Sequence, residues 1–434
     1  MDLPIPQTYN SPRWTGEIAD CSLPMAFDTY STCSFNCLYC FSFFQKNNMM
    51  GYYELHPDTM KREVRCVNVD KVKRLFLNCL NDKPQNKIEK QFYPYIRNRI
   101  TIQWSGLADQ FDEFERKYGV TLELLKFFDE IDYPISMGSK ATWYTKDDRY
   151  MDIIKKHTHN WHFKVSINTL DEYKASIIEE YVPSPRERLE SIKRLTDAGL
   201  HVTLRLRPYI IGVSDDYPLL IHEASKVGVD SIQTEFLCLD TRVIKKLGAK
   251  YNEISKVVGF DIYDFYMKHS EGAGYKRLNY SIKKPIIKNM KKIAHKHHMR
   301  FYVSDAHHKE KCDFTCCCGT PLDFKTYNGH YAHALHLAKK NSPDHTVYWS
   351  DISDEVNTYL GHFGWNEAVG FNNHHSINYA KRSNQSMGDY LHEIWNNPKS
   401  TKSPFKYFEG ILYPVGLDEN NDVIYKYNTK KARN

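Results

Sequence analysis

The 434-residue sequence lacks several features that would place it in large classes of protein. It has no apolar run approaching the ~20 residues of a transmembrane helix, so we expect no contact with a membrane. Its first residues, MDLPIPQTYNSPRW, contain no apolar core of a secretory leader. Internal repeats and low-complexity tracts are also absent, which argues against repeat architectures. Together these absences predict a globular protein of the cytoplasm.

Charge and cysteine content restrict the possible partners and the redox state of the protein less strictly. The net charge of +6 is small for this length, so it permits a polyanionic partner without requiring one. Eleven cysteines would indicate disulfides in a secreted chain. Here they fall into metal-like groups in a chain without an export signal, so we expect reduced thiols. The 31 tyrosines can pack cores or stack on bases, and composition alone does not choose between these roles.

Three cysteines lie close together on a predicted loop. Cys33, Cys37 and Cys40 have CxxxCxxC spacing and directly follow an apolar run at 24–30 that predicts a buried strand. Three thiolates can hold three irons of a [4Fe–4S] cluster and leave the fourth iron open to another ligand. A structural zinc site normally needs four protein ligands, and no fourth Cys or His lies nearby in the sequence. The loop therefore favours a cluster over zinc or over three unrelated thiols.

Strand and helix patterns alternate through the first half of the chain. Strands are predicted at 24–30, 99–105, 133–138, 161–168, 201–207 and 230–237. Helices are predicted at 58–81, 120–131, 146–156, 217–227 and after the capping box that begins at Ser184. Alternation at this spacing indicates parallel βαβ units. We therefore predict an α/β fold, specifically a partial (β/α)6 barrel of the TIM type.

Each of these strands has one polar side. Ser105, Ser166, Asn168 and Arg205 all lie on that side by alternation. A parallel sheet covered on both faces is normally apolar on both. Because helices must cover the apolar side, the polar side should face inward. This pattern predicts a barrel interior that holds a polar ligand.

The composition changes after residue 240. Residues 241–300 contain 15 Lys and Arg against 4 Asp and Glu, a net of +11, with aromatic residues interleaved. Such a segment suits contact with DNA or RNA, and we expect Lys283, Lys284, Lys291 and Lys292 to contribute. A solvated helical face is the alternative. We therefore divide the chain into a barrel at 1–240, a basic helical segment at 241–300 and a C-terminal extension at 301–434.

The extension carries a second group of thiols, Cys312, Cys316, Cys317 and Cys318. Adjacent cysteines cannot all point the same way, but Cys312, Cys316 and one of the other two can coordinate a metal. A second iron–sulfur cluster, a zinc ion, a redox-active pair and plain thiols remain as alternatives.

The cysteine loop resembles the signature of the radical S-adenosylmethionine (SAM) enzymes. The order of features at 102–109, 136–141, 165–170, 181–188 and 197–212 is similar to the spore photoproduct lyase-like branch of that superfamily. This resemblance covers a little over half of the chain. It implies a [4Fe–4S] cluster, SAM, a reducing partner such as a flavodoxin or ferredoxin, and a 5′-deoxyadenosyl radical that abstracts hydrogen from a substrate.

The resemblance also implies roles for individual residues. By position, Tyr39 and the backbone of Phe41 would lie by the adenine, and Ser105 with Gly106 would meet the SAM amino group. Lys140 would pair with the SAM carboxylate, with Arg205 as a second candidate. Ser166 and Asn168 would face the ribose. These assignments agree with the inward-facing polar pattern.

One departure from the branch concerns the hydrogen-atom donor. Photoproduct lyases carry a cysteine shortly after the second strand, whereas here residues 104–109 contain no thiol. Tyr39 or a cysteine of 312–318 would have to serve. We therefore expect a radical SAM enzyme acting on a nucleic acid or nucleotide. The alternatives are the same chemistry on a peptide or metabolite with an auxiliary cluster, and a non-catalytic Fe–S or zinc protein that binds nucleic acid.

Overall fold

The computed structural model describes residues 5, 7–8, 12–15, 19–40, 42, 64–241, 244–271, 275–341, 343–361 and 385–433. Within these ranges, no helix combines the length and the apolar character needed to cross a bilayer.

The described chain alternates strands and helices. The strands are β1 Gln7–Thr8, β2 Arg13–Trp14, β3 Met25–Phe27, β4 Cys66–Val67, β5 Ile102–Trp104, β6 Ile135–Ser139, β7 Trp161–Ser166, β8 His201–Tyr209, β9 Ser231–Phe236, β10 Cys238–Asp240, β11 Ser270–Glu271, β12 Tyr275–Leu278, β13 Arg300–Val303, β14 Thr346–Val347, β15 Leu412–Leu417 and β16 Val423–Tyr427. The helices are α1 Val69–Leu80, α2 Lys87–Arg97, α3 Glu113–Tyr118, α4 Val120–Glu130, α5 Asp148–Ile154, α6 Glu172–Ile178, α7 Pro185–Asp197, α8 Tyr217–Lys226, α9 Ile244–Val258, α10 Ile262–His269, α11 Tyr280–Lys296, α12 Tyr331–Lys340, α13 Ser350–Leu360, α14 Met387–Trp395, α15 Pro404–Tyr407 and α16 Thr429–Arg433.

The main sheet has eight strands in the order β13-β9-β8-β7-β6-β5-β3-β2. The pairs β6–β7, β7–β8 and β8–β9 are parallel, and β2 pairs with β3 in the antiparallel sense. Each strand from β5 to β9 lies beside the next one in the chain, with helices in the connections, as βαβ units require. The predicted mixed α/β fold with a mostly parallel sheet is confirmed. The partial (β/α)6 barrel stays a prediction.

Helix α7 begins where its sequence predicts. The Ser184 hydroxyl accepts a hydrogen bond from the Glu187 amide at 3.3 Å, and the Glu187 carboxylate accepts one from the Ser184 amide at 2.8 Å. Pro185 occupies the first helical position, where its missing N–H costs nothing. Gly199 has a φ of +85° just after the helix, a conformation that glycine adopts without strain. The capping box thus fixes the residue at which helix α7 begins.

Within the described residues the helix predicted at 58–81 begins only at Val69, so the prediction was wrong for residues 64–68. Helix α1 begins at Val69, and residues 58–63 lie outside the described ranges. Cys66 lies instead in strand β4, which pairs with β1. Asn68 ends this strand segment and accepts a hydrogen bond from the Lys71 amide at 2.9 Å, as a helix cap does. Asn68 therefore marks the boundary between strand β4 and helix α1. The apolar pattern of the sequence had merged these two elements into one predicted helix.

A row of hydrogen-bonded polar side chains crosses the parallel strands. His162 is fully buried, and its Nδ1 and Nε2 lie 2.9 Å from the Ser136 hydroxyl and 2.7 Å from the Thr203 hydroxyl. Thr203 in turn lies 2.6 Å from the hydroxyl of Ser231. These four polar side chains are therefore fully buried and satisfy one another's hydrogen bonds.

The chain divides into two compact units by its internal contacts. The first comprises residues 1–10, 27–72 and 104–301, and the second comprises 11–26, 73–103 and 302–434. Buried aromatic rings form much of the second unit's core: Tyr95 lies 5.0 Å from Trp14 and 4.6 Å from Tyr359 between ring centroids. The boundaries predicted at residues 240 and 300 stay predictions.

Candidate metal and cofactor site

The cysteine loop is fastened to the end of helix α6. A backbone bridge joins Cys37 to Glu179, and the Leu38 amide donates to the Ile178 carbonyl at 2.9 Å. On its other side, the Ser34 amide donates to the Asp112 carboxylate at 2.5 Å. These backbone bonds fix the path of a segment that has little regular structure of its own.

The three thiols of the loop lie near one another. Cys37 is buried, Cys33 and Cys40 are half-buried, and none of the three forms a disulfide. Burial raises the pKa of Cys33 to about 12, and the nearby Asp109, Cys40 and Cys37 add to this effect. Burial likewise raises the pKa of Cys37 to about 11, although Lys140 opposes it. Such thiols ionise at neutral pH only when a positive partner such as a metal binds them.

The spacing of potential ligands bears on which metal the loop can hold. Among the described residues, only Asp132, His157 and His159 bring three ligand atoms within 4.8 Å of one another. The thiols of Cys33, Cys37 and Cys40 do not form such a group. Three thiolates can hold a [4Fe–4S] cluster with one open iron, whereas a structural zinc ion normally takes four protein ligands. The number and kind of donors therefore fit a [4Fe–4S] cluster better than zinc.

Glu179 is a buried carboxylate at the centre of the site. Its Oε1 accepts a hydrogen bond from the Tyr39 hydroxyl, and its Oε2 lies 2.7 Å from Nη2 of Arg188. The Lys140 ammonium lies 3.9 Å from Oε1. Burial alone would raise the pKa of Glu179, but Arg188 and Lys140 outweigh it and hold the pKa below its usual range. Glu179 therefore stays ionised and joins the cysteine loop to two basic residues.

Lys140 lies near this carboxylate and over the ring of Tyr39. Its ammonium is 5.4 Å from the centre of the Tyr39 ring, and its backbone amide donates to the Asp109 carboxylate at 2.7 Å. Burial would lower the pKa of Lys140, but Cys37 and Glu179 raise it above the ordinary value. The residue is therefore cationic beside the loop, and its contact with a SAM carboxylate stays a prediction.

The segment after β5 surrounds another carboxylate. The backbone amides of Gly106 and Leu107 each donate to Asp28 Oδ1 at 2.8 Å, and that of Ala108 does so at 3.2 Å. Ser105, at the start of this turn, has a φ of +84°, which is uncommon for a residue with a side chain. The Asp28 carboxylate therefore holds the turn that carries Ser105 and Gly106.

Gly138 marks the point where several polar side chains converge. A Cβ placed there would lie 2.8 Å from Ser105 Oγ, 3.3 Å from Arg205 Nη1 and 3.7 Å from Lys164 Cε. Glycine at this position therefore leaves a space bordered by a hydroxyl and two basic side chains. The structure thus brings together Ser105 and Arg205, which the sequence predicted on one side of the sheet.

Asn168 and Ser166 follow the same polar side along the chain. Both are buried, and the Ser166 carbonyl accepts a hydrogen bond from Arg188 Nη1 at 2.7 Å. In the part of the chain that the structure describes, neither amide atom of Asn168 has a hydrogen-bond partner. A buried amide in this state normally has a ligand or water to bind. Phe41, the remaining predicted contact, lies outside the described residues.

The second unit holds a separate group of buried thiols. Cys316, Cys317 and Cys318 pack with Cys21, which comes from a distant part of the sequence. A hydrogen bond from Cys318 lowers the pKa of Cys316. The thiol of Cys312 lies 3.2 Å from the Val303 amide nitrogen.

A buried ion pair accompanies these thiols. The Lys309 ammonium lies 3.0 Å from the Asp20 carboxylate, and both side chains are at most 2% exposed. Burial would lower the pKa of Lys309, but Asp20, Cys317 and Cys312 hold it well above the ordinary value. A cation at this position can balance negative charge on thiolates.

Sequence reasoning missed two residues that matter to these sites. In the sequence, nothing but its position next to Glu180 distinguishes Glu179, because its three partners come from three other segments of the chain. Cys21 is a single thiol with no neighbour at a recognisable spacing. Both contacts depend on how distant segments pack, which local patterns do not encode.

Comparison with known proteins gives few matches in sequence. No family model matches the chain. Over 105 residues, or 23% of this chain, the sequence is 30% identical to an uncharacterised protein, ORF301, of Acidianus two-tailed virus. That match covers 34% of the viral protein, so the chain spans about a third of the length of this curated relative.

Solved structures of spore photoproduct lyase are similar to this chain. A cysteine-to-serine mutant has a TM-score of 0.48 at 15% identity, covering 69% of this chain and 80% of the lyase. The lyase complexed with dinucleoside spore photoproduct also has a TM-score of 0.48, at 16% identity, covering 67% and 78%.

Proposed function

We propose that this protein is a radical SAM enzyme. The observation that carries the proposal is the loop of Cys33, Cys37 and Cys40, which the ionised Glu179 holds in place. The buried side-chain amide of Asn168, which has no hydrogen-bond partner among the described residues, adds support for a polar ligand. Three thiolates provide for a cluster with one open iron. The order of strands β5 to β9 supports a partial (β/α)6 barrel as the housing.

The chain's own residues suit these two groups. The loop thiols would hold the cluster, and Lys140 would pair with the SAM carboxylate. Ser105 and Gly106 would meet the SAM amino group next to the space that Gly138 leaves open, while Ser166 and Asn168 would face the ribose. When bound, the cluster and SAM would supply a 5′-deoxyadenosyl radical that takes hydrogen from an unactivated C–H bond.

Tyr39 needs a separate assignment. Its hydroxyl donates to Glu179 and its ring lies under the Lys140 ammonium, so the residue positions the loop and one cation. Burial raises the pKa of Tyr39 well above its usual value, with Glu179 adding to the effect. The phenol therefore keeps its proton. The contacts with Glu179 and Lys140 support a positioning role, and the retained O–H leaves the hydrogen-donor role as a prediction.

Helix α11 supports a nucleic acid as the substrate. Ile287, Met290 and Ala294 are buried on one face of this helix. Lysines recur every fourth residue on the other face, at Lys284, Lys288, Lys292 and Lys296. The stripe is about 18 Å long at ~1.5 Å per residue, which matches several phosphates of a strand. Lys283, expected among the contacts, is buried and does not belong to the stripe.

The alternative substrate, a peptide or metabolite, would come with a second metal centre. The packing of Cys21 against Cys316, Cys317 and Cys318 supports such a centre, with Lys309 balancing its charge. In that case Cys21 would be one of the metal ligands, because the adjacent Cys316, Cys317 and Cys318 cannot all point towards one metal ion. Iron and sulfide analysis separates an iron–sulfur cluster from zinc at these thiols.

The central experiment follows hydrogen abstraction. Anaerobically reconstituted protein with a reductant and SAM would be incubated with DNA, RNA or peptides deuterated in the C–H bonds. Deuterium in 5′-deoxyadenosine identifies the substrate. Cys37→Ala should abolish both the iron–sulfur absorbance and SAM cleavage, whereas Cys238→Ala, a half-buried thiol elsewhere in the same unit, should retain both. Full SAM cleavage by Cys37→Ala would refute the proposed function.

A further inference from the structure

Two turns at the edge where strands β6 and β7 begin hold a group of side chains that the proposed chemistry does not use. Asp132 follows helix α4 and precedes β6. His157 ends a short 3-10 turn, Lys155–His157, and His159 lies just before β7. The Ile135 amide donates to the Asn160 carbonyl at 3.0 Å and ties the two turns together. The turns therefore present three potential metal ligands from two connections.

The ligand atoms of this group have the separations of a metal site. Asp132 Oδ1 lies 3.0 Å from His159 Nε2 and 3.3 Å from His157 Nδ1. All three atoms lie within 4.8 Å of one another. Nitrogen and oxygen ligands held at about 2.0–2.1 Å from a tetrahedral zinc ion are about 3.3 Å apart. The spacing thus matches a zinc site with one position left open.

The surroundings of His157 are those of a metal-binding imidazole. Its side chain is 4% exposed and its ring stacks on Trp161, with ring centroids 4.1 Å apart. Its second nitrogen, Nε2, lies 2.8 Å from the Asp129 carboxylate. A carboxylate on the far nitrogen fixes the ring and its tautomer, as is usual for histidines that bind zinc. The Asn160 side-chain amide donates to Asp132 Oδ1, the oxygen that faces the two histidines, at 2.8 Å and so orients that carboxylate.

We propose that Asp132, His157 and His159 form a zinc site that joins the turns before β6 and β7. Asp132 and His159 are each 58% exposed, so a metal ion can reach the site from solvent. The three ligands leave the fourth position to water. The site is independent of the proposed enzymatic function, because none of its residues belongs to the cysteine loop or its surroundings.

The test uses cobalt(II) as a spectroscopic probe for zinc in the full-length protein with its thiol sites already loaded. The wild type should bind one equivalent with the visible bands of a nitrogen and oxygen site and without a thiolate charge-transfer band, and zinc should displace it. His159→Ala should abolish this binding without unfolding the chain, because the side chain is exposed. Asp129→Asn should weaken it by about 10–100-fold, the usual effect of losing the carboxylate behind a ligand.

His201→Ala is the matched control. His201 Nδ1 also lies 2.7 Å from a carboxylate, that of Asp230, but the third group there is Arg300 rather than a histidine. This variant should titrate like the wild type. Equal cobalt binding by His159→Ala and His201→Ala, or no cobalt spectrum other than a thiolate one, would overturn the proposal.

Discussion

Replacing Arg188 by Met should release the cysteine loop from its anchor. Arg188 is 1% exposed, contacts the Glu179 carboxylate at 2.7 Å and donates to the Ser166 carbonyl. Without it, Glu179 remains a buried charge, with Lys140 3.9 Å away. Removing one partner of a buried ion pair costs about 3–5 kcal/mol. Because Lys140 remains, we expect a loss near the lower end, about 3 kcal/mol.

Amide hydrogen exchange of Leu38 measures this loss where it occurs. That amide donates to the Ile178 carbonyl, so its exchange reports opening of the cysteine loop even if the rest of the chain stays folded. A loss of about 3 kcal/mol corresponds to roughly 100-fold faster exchange, provided that exchange occurs through opening. Iron retained after anaerobic reconstitution should fall in parallel.

Arg186→Met provides the control on the same helix. Arg186 is 84% exposed and lies 3.3 Å from Glu172, itself about half exposed. An exposed pair of this kind contributes about 0–1 kcal/mol. The double variant Glu179→Gln with Arg188→Met removes both charges and should recover part of the loss. Equal exchange at Leu38 in the Arg186 and Arg188 variants would refute the idea that the buried pair holds the loop.

Three further predictions concern the interior of the main sheet. Gly138→Ala should reduce SAM binding measured by equilibrium dialysis, because its Cβ would crowd Ser105 Oγ at 2.8 Å, whereas Gly248→Ala, with open space around it, should not. Asn168→Ala should weaken SAM binding while leaving the urea midpoint unchanged or higher, since the described residues offer its amide no partner to lose. Burial lowers the pKa of His162 well below its usual value, so it is neutral when folded. As pH falls below ~6.5, His162 takes up a proton in the unfolded state but not in the folded state. The free energy of unfolding of the wild type, measured by urea titration, should therefore fall by up to about 1.4 kcal/mol more per pH unit than that of His162→Gln. Equal pH dependence of the two proteins would contradict this.

The sequence predicts the parallel strands well because their signals are local. Alternation and the capping box at Ser184 depend on neighbours a few residues apart, and strands β5 to β9 lie within the predicted ranges or overlap them closely. The helix predicted at 58–81 was partly wrong because that prediction rested on an apolar pattern alone. An apolar pattern alone cannot detect that Asn68 caps a helix and that the residues before it pair as a strand.

The site was predictable only in part. The spacing of Cys33, Cys37 and Cys40 is local, so the loop is visible in the sequence. The residues that hold it are not, because Glu179 reaches the loop only after α6 packs beside it. The same holds for Cys21, whose thiol partners lie almost three hundred residues further along the chain. Such contacts belong to the tertiary fold, and a single sequence carries no pattern for them.

The two kinds of polar residue in the interior differ in what they do for folding. His162, Ser136 and Thr203 satisfy one another across the strands, so their burial needs no ligand. Asn168 has no such partner among the described residues. Its burial is therefore unfavourable, because no hydrogen bond within the described residues compensates for the loss of water. A protein keeps such a group where a ligand completes its hydrogen bonds. This contrast between satisfied and unsatisfied polar groups, more than the number of polar residues, is the reason to predict that a cofactor binds near Asn168.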